Sequence, residues 1–246
     1  MRAVIPNIFT GTNLFCGMLA LVFVATDQVW AATIALFVAG FMDFFDGFVA
    51  RMLNVSSEIG KELDSLADNV TFGAVPGFVM ARLIQESQGL NFLPDQWGNP
   101  MTNYLWMVAF LVPIFSAVRL ARFNLDTRQS DAFYGVPTPA NTMILFSLWV
   151  IVDQYQESWF APYLQQTWLL VIICLLSCWW LNMDVRLIAL KFKGSGLKDN
   201  LFRYLIIFVA IGGLILFQFV AVPVIFALYL IFSFIENWQL GKQGDE

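Results

Sequence analysis

Histidine is absent from the chain. That removes the commonest general base and the usual nitrogen ligand of zinc, so any acid–base or metal chemistry must fall to carboxylates. Cysteine is scarce. Cys16, Cys174 and Cys178 lie inside apolar runs at spacings that suit neither a disulfide framework nor a zinc site, and they are expected to be packing residues. Charged residues make up only 13% of the chain and the formal net charge is -5, which argues against a nucleic-acid partner. Basic residues gather only between Arg186 and Arg203, where ordinary membrane topology explains them before contact with anionic headgroups does. There is no Walker-type glycine-rich loop with Lys and Ser or Thr, which excludes a P-loop triphosphatase, and no Gly-x-Ser-x-Gly elbow. Low-complexity linkers and internal repeats are also missing, so residues 1–246 are expected to form one domain. The first apolar run is as long as a full span and lacks an extended basic leader, so it is expected to stay in place as a span.

Apolar residues dominate what is present, at 59% of the chain. Such a balance predicts an all-α, polytopic membrane bundle. Runs at Ile8 to Ala25, Val29 to Val49, Leu63 to Leu83, Tyr104 to Leu120, Pro139 to Val152, Thr167 to Leu181, Leu201 to Phe217 and Val220 to Ile235 suggest about eight transmembrane helices. Seven is the alternative, because Gln218 and Phe219 give little turn signal between the last two runs. The first six spans, about residues 1–190, are expected to form the catalytic unit, with two additional spans at about 200–236. With the N-terminus inside, twelve Lys and Arg residues fall on the cytoplasmic side, among them Arg51, Lys61, Arg119, Arg122 and Arg186, and Arg82 is the one exception. The segment Glu86 to Asn103 then faces outward and is long enough for a small cap.

Against this apolar background four carboxylates lie close together in the chain. At about 100° of helical rotation per residue, Asp43, Asp46, Gly47 and Ala50 share one stripe, and Asp64, Asp68 and Thr71 share another. The connection from Met52 to Ile59 contains Asn54, Ser56 and Ser57, which suit a turn or a helix cap, so the two stripes belong to a helical hairpin at the cytoplasmic surface. Acids crowded beside hydrocarbon repel one another and lose hydration, and protons or cations must relieve them. Oxygen ligands favour Mg2+ or Mn2+. Two facing pairs can hold two ions about 3.5 to 4 Å apart, an arrangement suited to phosphoryl transfer in which one carboxylate takes a proton from an attacking hydroxyl. Arg51 reads either as a topology anchor or as a partner for phosphate oxygens. Gly47, Ala50 and Gly60 permit close approach of either a ligand or a neighbouring helix. A cation-coupled transporter remains a second reading of the same acids, and a catalytically silent scaffold a third.

The pattern Asp43-x2-Asp46-Gly47-x2-Ala50-Arg51-x8-Gly60-x3-Asp64-x3-Asp68 resembles the complete signature of the CDP-alcohol phosphatidyltransferase family. That resemblance implies a helical membrane enzyme, usually homodimeric, which moves a substituted phosphate from a CDP-linked lipid to an alcohol and releases CMP. It also implies that Asp43, Asp46, Asp64 and Asp68 bind two divalent cations, with Asp68 doubling as the base, and that Gly47, Ala50 and Arg51 line the nucleotide and diphosphate of CDP-diacylglycerol. Three further segments are similar to the branch whose acceptor is L-serine: Ile5-Pro6-Asn7 with Thr10-x2-Asn13, Arg119 to Asn124, and Phe133 to Pro139. Within that branch, Arg119 and Arg122, at i and i+3, suit the serine carboxylate, with positive-inside topology as their alternative explanation. Thr10 and Asn13 suit cytidine or ribose, or alternatively helix packing. Glycerol 3-phosphate, inositol and choline are the competing acceptors. The expected location is a bacterial inner (plasma) membrane, with the acids facing the cytoplasm and membrane lipids around the helices.

Overall fold

The computed structural model describes residues 4–55, 57–90, 104–126, 133–187 and 201–244. Most of the expected outward cap and most of the Arg186 to Arg203 loop lie outside these residues. Helices α1 (Val4–Ala25) and α2 (Val29–Met52) form an antiparallel hairpin whose turn is made by Asp27 in the left-handed region, φ 59°, a conformation that Asp tolerates better than most residues. Helix α3 (Glu58–Asp68) runs through one π-helical turn (Asn69–Ala74) into α4 (Val75–Ser87). A 3₁₀ segment (Tyr104–Phe110) leads into α5 (Leu111–Leu125). There follow α6 (Thr138–Gln154), the short α7 (Ala161–Leu164), α8 (Thr167–Leu181), α9 (Leu201–Phe217) and α10 (Ala221–Gly244). The two-residue strands β1 (Phe133–Tyr134) and β2 (Arg186–Leu187) pair antiparallel, Phe133 opposite Leu187 and Tyr134 opposite Arg186.

Each apolar run read from the sequence lies on a helix. By length and composition, four segments among the described residues qualify to cross a membrane: α1, α2, Tyr104–Leu125 and Tyr204–Glu236. At 17 and 15 residues, α6 and α8 fall short of the roughly 20 that span hydrocarbon. The stretch Tyr204–Glu236 is interrupted, because Gln218 adopts φ 49° and the chain reverses there. A Cβ on Gly213 would stand 3.2 Å from Ala221, so α10 folds back against α9. The turn that the residue types barely signalled is therefore present.

Helix α4 is the centre of the bundle. Val75, Val79, Met80 and Ile84 are fully buried, in one cluster with Ala20 and Val24 of α1, Leu145 of α6 and Cys174 of α8. The three cysteines are buried and unpaired with one another, as expected of packing residues. On the outside the pattern inverts: Phe37 is 74% exposed and Phe208 76%, the arrangement of a protein whose surroundings are lipid.

The π-turn has an identifiable cause. Pro76 has no N–H to donate to the Phe72 carbonyl four residues earlier, so that oxygen is released from the helix ladder. Thr142 Oγ1 of α6 donates to it at 2.8 Å and Ser116 Oγ of α5 at 3.4 Å. In hydrocarbon, where no water can take over, this repair ties three helices together just beyond Asp68.

Arg82, the exception to the charge bias, is buried at the end of the bundle away from the four acids. It pairs with Asp27 at 2.8 Å and Glu86 at 2.7 Å, donates to the Val24 carbonyl at 2.8 Å and lies over the Trp149 ring. Two acids compensate one cation, and Arg82 thereby joins the α1–α2 turn to α4. The other end is closed by the segment before α6. Gly135, at φ 73°, places its N–H on Val185 O while Val136 N–H reaches Trp180 O, and a Cβ at Gly135 would collide with Leu181 O at 2.6 Å. Val136, Met183 and Leu187 then pack against Phe226 and Tyr229 of α10.

Replacing Thr142 by Val should leave the Phe72 carbonyl with one long hydrogen bond and cost about 1 kcal/mol, while Thr142→Ser should retain most of it. Thermal unfolding of the two variants in detergent micelles measures the difference.

Candidate functional site

Helix α2 carries Asp43, Asp46, Gly47, Ala50 and Arg51 on its last turns and ends in a tight reversal. Asn54 is left-handed at φ 49°, Asn54 N–H bonds Arg51 O at 3.1 Å and Val55 N–H bonds Ala50 O at 3.0 Å, closing the helix in a Schellman motif. Ser57 opens α3: its Oγ accepts from Gly60 N–H at 3.0 Å. A Cβ on Gly60 would lie 2.8 Å from that Oγ and 3.3 Å from Asn7 Oδ1, so only glycine leaves the cap and the approach of α1 intact. Of the expected turn residues, Ser56 lies outside the described residues.

The hairpin brings the two acidic stripes face to face. One carboxylate oxygen each from Asp43, Asp64 and Asp68 lies within 4.8 Å of the others. Asp46 lies beside this trio, close enough to Asp64 and Asp43 for their charges to interact, and accepts a hydrogen bond from Thr10 Oγ1 at 2.7 Å. Asn13, fully buried, donates through Nδ2 to Asp68 Oδ1 at 3.1 Å, and its own Oδ1 accepts from Thr71 Oγ1 at 2.8 Å. Both ends of the amide are thus committed, and the Asp68 carboxylate is held in one orientation from α1. Asp64 Oδ1 is buried without a hydrogen-bond donor from the protein. Opposed ligands of a small divalent ion lie about 4.2 Å apart at metal–oxygen distances near 2.1 Å. Three converging carboxylates, one with an unmatched buried oxygen, fit such an ion.

Beside the trio opens a cavity of about 490 Å³ whose lining includes Thr10, Asp46, Gly47, Ala50, Arg51 and Asp64. An added Cβ at Gly47 meets nothing within 4 Å, so this glycine leaves room in the cavity and does not seat another helix. Asn7 and Lys61 also line it. Neither was given a role at the site from the sequence, although Asn7 belongs to the branch segment that begins at Ile5 and precedes Thr10 by one helical turn, and Lys61 follows Gly60 in the first turn of α3. Arg51 and Lys61 set two cations against Asp46 and Asp64, a lining matched to an anionic ligand that brings its own counter-ions.

Arg119 and Arg122 do not line this cavity. They border a second one of about 440 Å³, together with Asp126, Tyr134, Asn182 and Asp184. Arg119 is buried, lies over the Phe123 ring at 5.7 Å and is close enough to Asp68 for their charges to interact. One turn further along α5, Asn124 Nδ2 donates to Ser65 Oγ at 2.8 Å, fixing α5 against the helix that bears Asp64 and Asp68.

Residues 3–180 match the family model described as CDP-alcohol phosphatidyltransferase, and the chain belongs to that family. The match includes the acidic hairpin, both arginines of the second cavity and the segment before α6, and it ends before α9. Among curated proteins, the chain is 37% identical over 150 residues to a CDP-diacylglycerol--serine O-phosphatidyltransferase of Helicobacter pylori, covering 60% of this chain and 57% of that protein. A protein of the same name from Bacillus subtilis is 34% identical over 58% of this chain and 74% of its own. One from Mycobacterium leprae is 30% identical over 69% of this chain and 53% of its own. The chain thus spans little more than half the length of the Helicobacter and Mycobacterium relatives.

Asp64→Asn should weaken Mn2+ binding by more than tenfold. Asn13→Leu, which removes the donor to Asp68 and the acceptor of Thr71 but no carboxylate of the cluster, should weaken it by about 10- to 100-fold. Titration of Mn2+ into the purified protein, followed by electron paramagnetic resonance, reads both.

Proposed function

We propose that the protein is a CDP-diacylglycerol–serine O-phosphatidyltransferase: it transfers the phosphatidyl group of CDP-diacylglycerol to the hydroxyl of L-serine and releases CMP. The observation that carries this reading is the convergence of Asp43, Asp64 and Asp68 beside a cavity lined by the remaining signature residues, in a chain of this family. The names of the relatives favour serine as the acceptor.

In this reading Asp43, Asp46, Asp64 and Asp68 hold two divalent cations, Mg2+ or Mn2+. When bound, these ions neutralise the diphosphate and make its lipid-side phosphorus more electrophilic. Arg51 and Lys61 grip the diphosphate oxygens, and the absent side chain of Gly47 lets the nucleotide approach α2. Thr10 keeps Asp46 oriented through its hydroxyl. Asn13 does the same for Asp68, whose carboxylate accepts the serine hydroxyl proton as the serine oxygen attacks phosphorus. The P–O bond to CMP breaks as the new P–O bond forms, so charge is conserved across the exchange.

Serine is a zwitterion, and the second cavity offers both signs. Arg119 and Arg122 supply the cation for its carboxylate, while Asp126 and Asp184 on the same lining suit its ammonium group. The proximity of Arg119 to Asp68 supports a path from this cavity to the base. The proposal includes about eight crossings, an acidic end at the cytoplasmic face of a bacterial inner membrane, and a homodimer. Its topological support is that Arg51, Lys61, Arg119 and Arg122 line the two cavities, with Arg82 compensated by acids at the opposite end.

Purified protein incubated with CDP-diacylglycerol, Mn2+ or Mg2+ and one alcohol at a time should release CMP and form phosphatidylserine with serine. Formation of a different phospholipid with glycerol 3-phosphate, inositol or choline would reassign the acceptor, and cation flux in proteoliposomes without CMP release would reassign the class. Asp68→Asn should abolish turnover while CMP binding persists, and unimpaired turnover would remove Asp68 from the role of base. Arg119→Met should raise KM for serine by about 10- to 100-fold with a smaller effect on CMP binding, as loss of a charge-assisted hydrogen bond to one substrate requires.

A further inference from the structure

A third cavity, of about 380 Å³, lies between α2 and α6 and reaches from Asp43 to Phe219 and Val222. Its wall along α2 runs from Thr33 to Phe44, about 16 Å at 1.5 Å per residue. The hydroxyls of the lining are each turned to a main-chain carbonyl: Thr33 of α2 to Val29 O, and on α6 Thr142 to Phe72 O and Thr138 O and Ser147 to Ile144 O. Asp43 is the one charged group of the lining. The slot is therefore apolar along its length and opens at one end onto the metal-binding carboxylates. Its side is bordered by the outward-facing Phe37, Phe41 and Phe44. Gly40, at mid-length, keeps it open, since an added Cβ there would find only Phe72 Cζ, at 3.9 Å.

The far end is closed by the turn between the last two helices. Phe219 packs edge-on against Trp30 of α2 with ring centroids 6.3 Å apart. Its neighbour Gln218 accepts from the Tyr155 hydroxyl at 3.5 Å. The turn is thus fixed both to the start of α2 and to the end of α6. It belongs to the part of the chain that follows residues 3–180, the segment shared with the family at large.

We infer that this slot holds one acyl chain of the CDP-linked lipid, and that Phe219 with Val222 is its end-stop, so that the two C-terminal helices select the length of the chain. The inference rests on the proposed transferase reading. Continuity with Asp43 assigns the occupant, because a lipid whose diphosphate sits at the carboxylates has its glycerol at the mouth of the slot. A bulk phospholipid brings one phosphate to that position where the CDP-linked lipid brings two.

The test compares kcat/KM for CDP-diacylglycerols of graded chain length in the wild type, Phe219→Ala and Val222→Phe. Shortening the stop should move the optimum to longer chains, with the rate ratio for a chain one methylene beyond the wild-type optimum rising about fourfold, and Val222→Phe should move it to shorter ones. If Phe219→Ala does not fold, Phe219→Leu takes its place. Unchanged length profiles in the folded variants overturn the inference. A second readout does not need turnover: CDP-diacylglycerol with a diazirine at the end of one acyl chain should label Trp30 and Phe219 to Val222, and labelling spread evenly over the outward faces of α1, α5 and α8 overturns it. Failure of the wild type to release CMP from any of these lipids would instead count against the transferase reading.

Discussion

Three carboxylates whose oxygens lie within 4.8 Å of one another, on helices surrounded by apolar side chains, impose the constraint that the rest of the structure serves. Such a group is repulsive on its own terms and is stable only when cations or protons share it. Its geometry therefore has to be held by something other than mutual attraction of the acids. The α2–α3 reversal holds it from one side, through the left-handed Asn54 and the Ser57 cap. Helix α1 holds it from the other, through Thr10 on Asp46 and Asn13 on Asp68. Each donor neutralises part of the negative charge while fixing which oxygen points inward, so orientation and charge relief come from the same hydrogen bonds.

The helix that carries Asp64 and Asp68 also has to change register soon after them, and Pro76 is the reason. The released Phe72 carbonyl recruits Thr142 and Ser116, and through them α6 and α5 are placed against the acidic helix. That placement has functional consequences on two sides. On one side α5 brings Arg119 near Asp68 and borders the second cavity. On the other, the separation of α2 from α6 leaves the apolar slot that begins at Asp43. A backbone defect of one hydrogen bond thus shapes two cavities that flank the same cluster of carboxylates.

Charge is divided between the two ends of the bundle in a way that suits a membrane. The acidic end carries several cations around its cavities, whereas Arg82 at the opposite end is enclosed by Asp27, Glu86 and Trp149. An ion pair of this kind satisfies a buried cation locally, and it also locks the turn between α1 and α2 to the central helix. The orientation of α1, and with it the aim of Thr10 and Asn13, is set in part from the far end of the molecule.

The helices, the acidic hairpin and the family were all legible in the residues. Helical stripes follow from a rotation of about 100° per residue whatever surrounds them, and a proline, an Asn or a Ser signals its local geometry with little help. Asp43, Asp64 and Asp68 were placed on facing stripes by spacing alone, and they meet. Residue spacing could not show that Thr10 bonds Asp46, that Asn13 spends both ends of its amide on Asp68 and Thr71, or that Arg119 and Arg122 border a cavity apart from Arg51. Nor could it show that Lys61 faces the same cavity as Arg51, or that Phe219 closes a slot starting at Asp43. Apart from Arg51 and Lys61, which lie on either side of the α2–α3 turn, these residues belong to segments 36 to about 180 residues apart in the chain. Pattern along one helix says which residues share a face, but which face meets which neighbour depends on how all the helices pack at once.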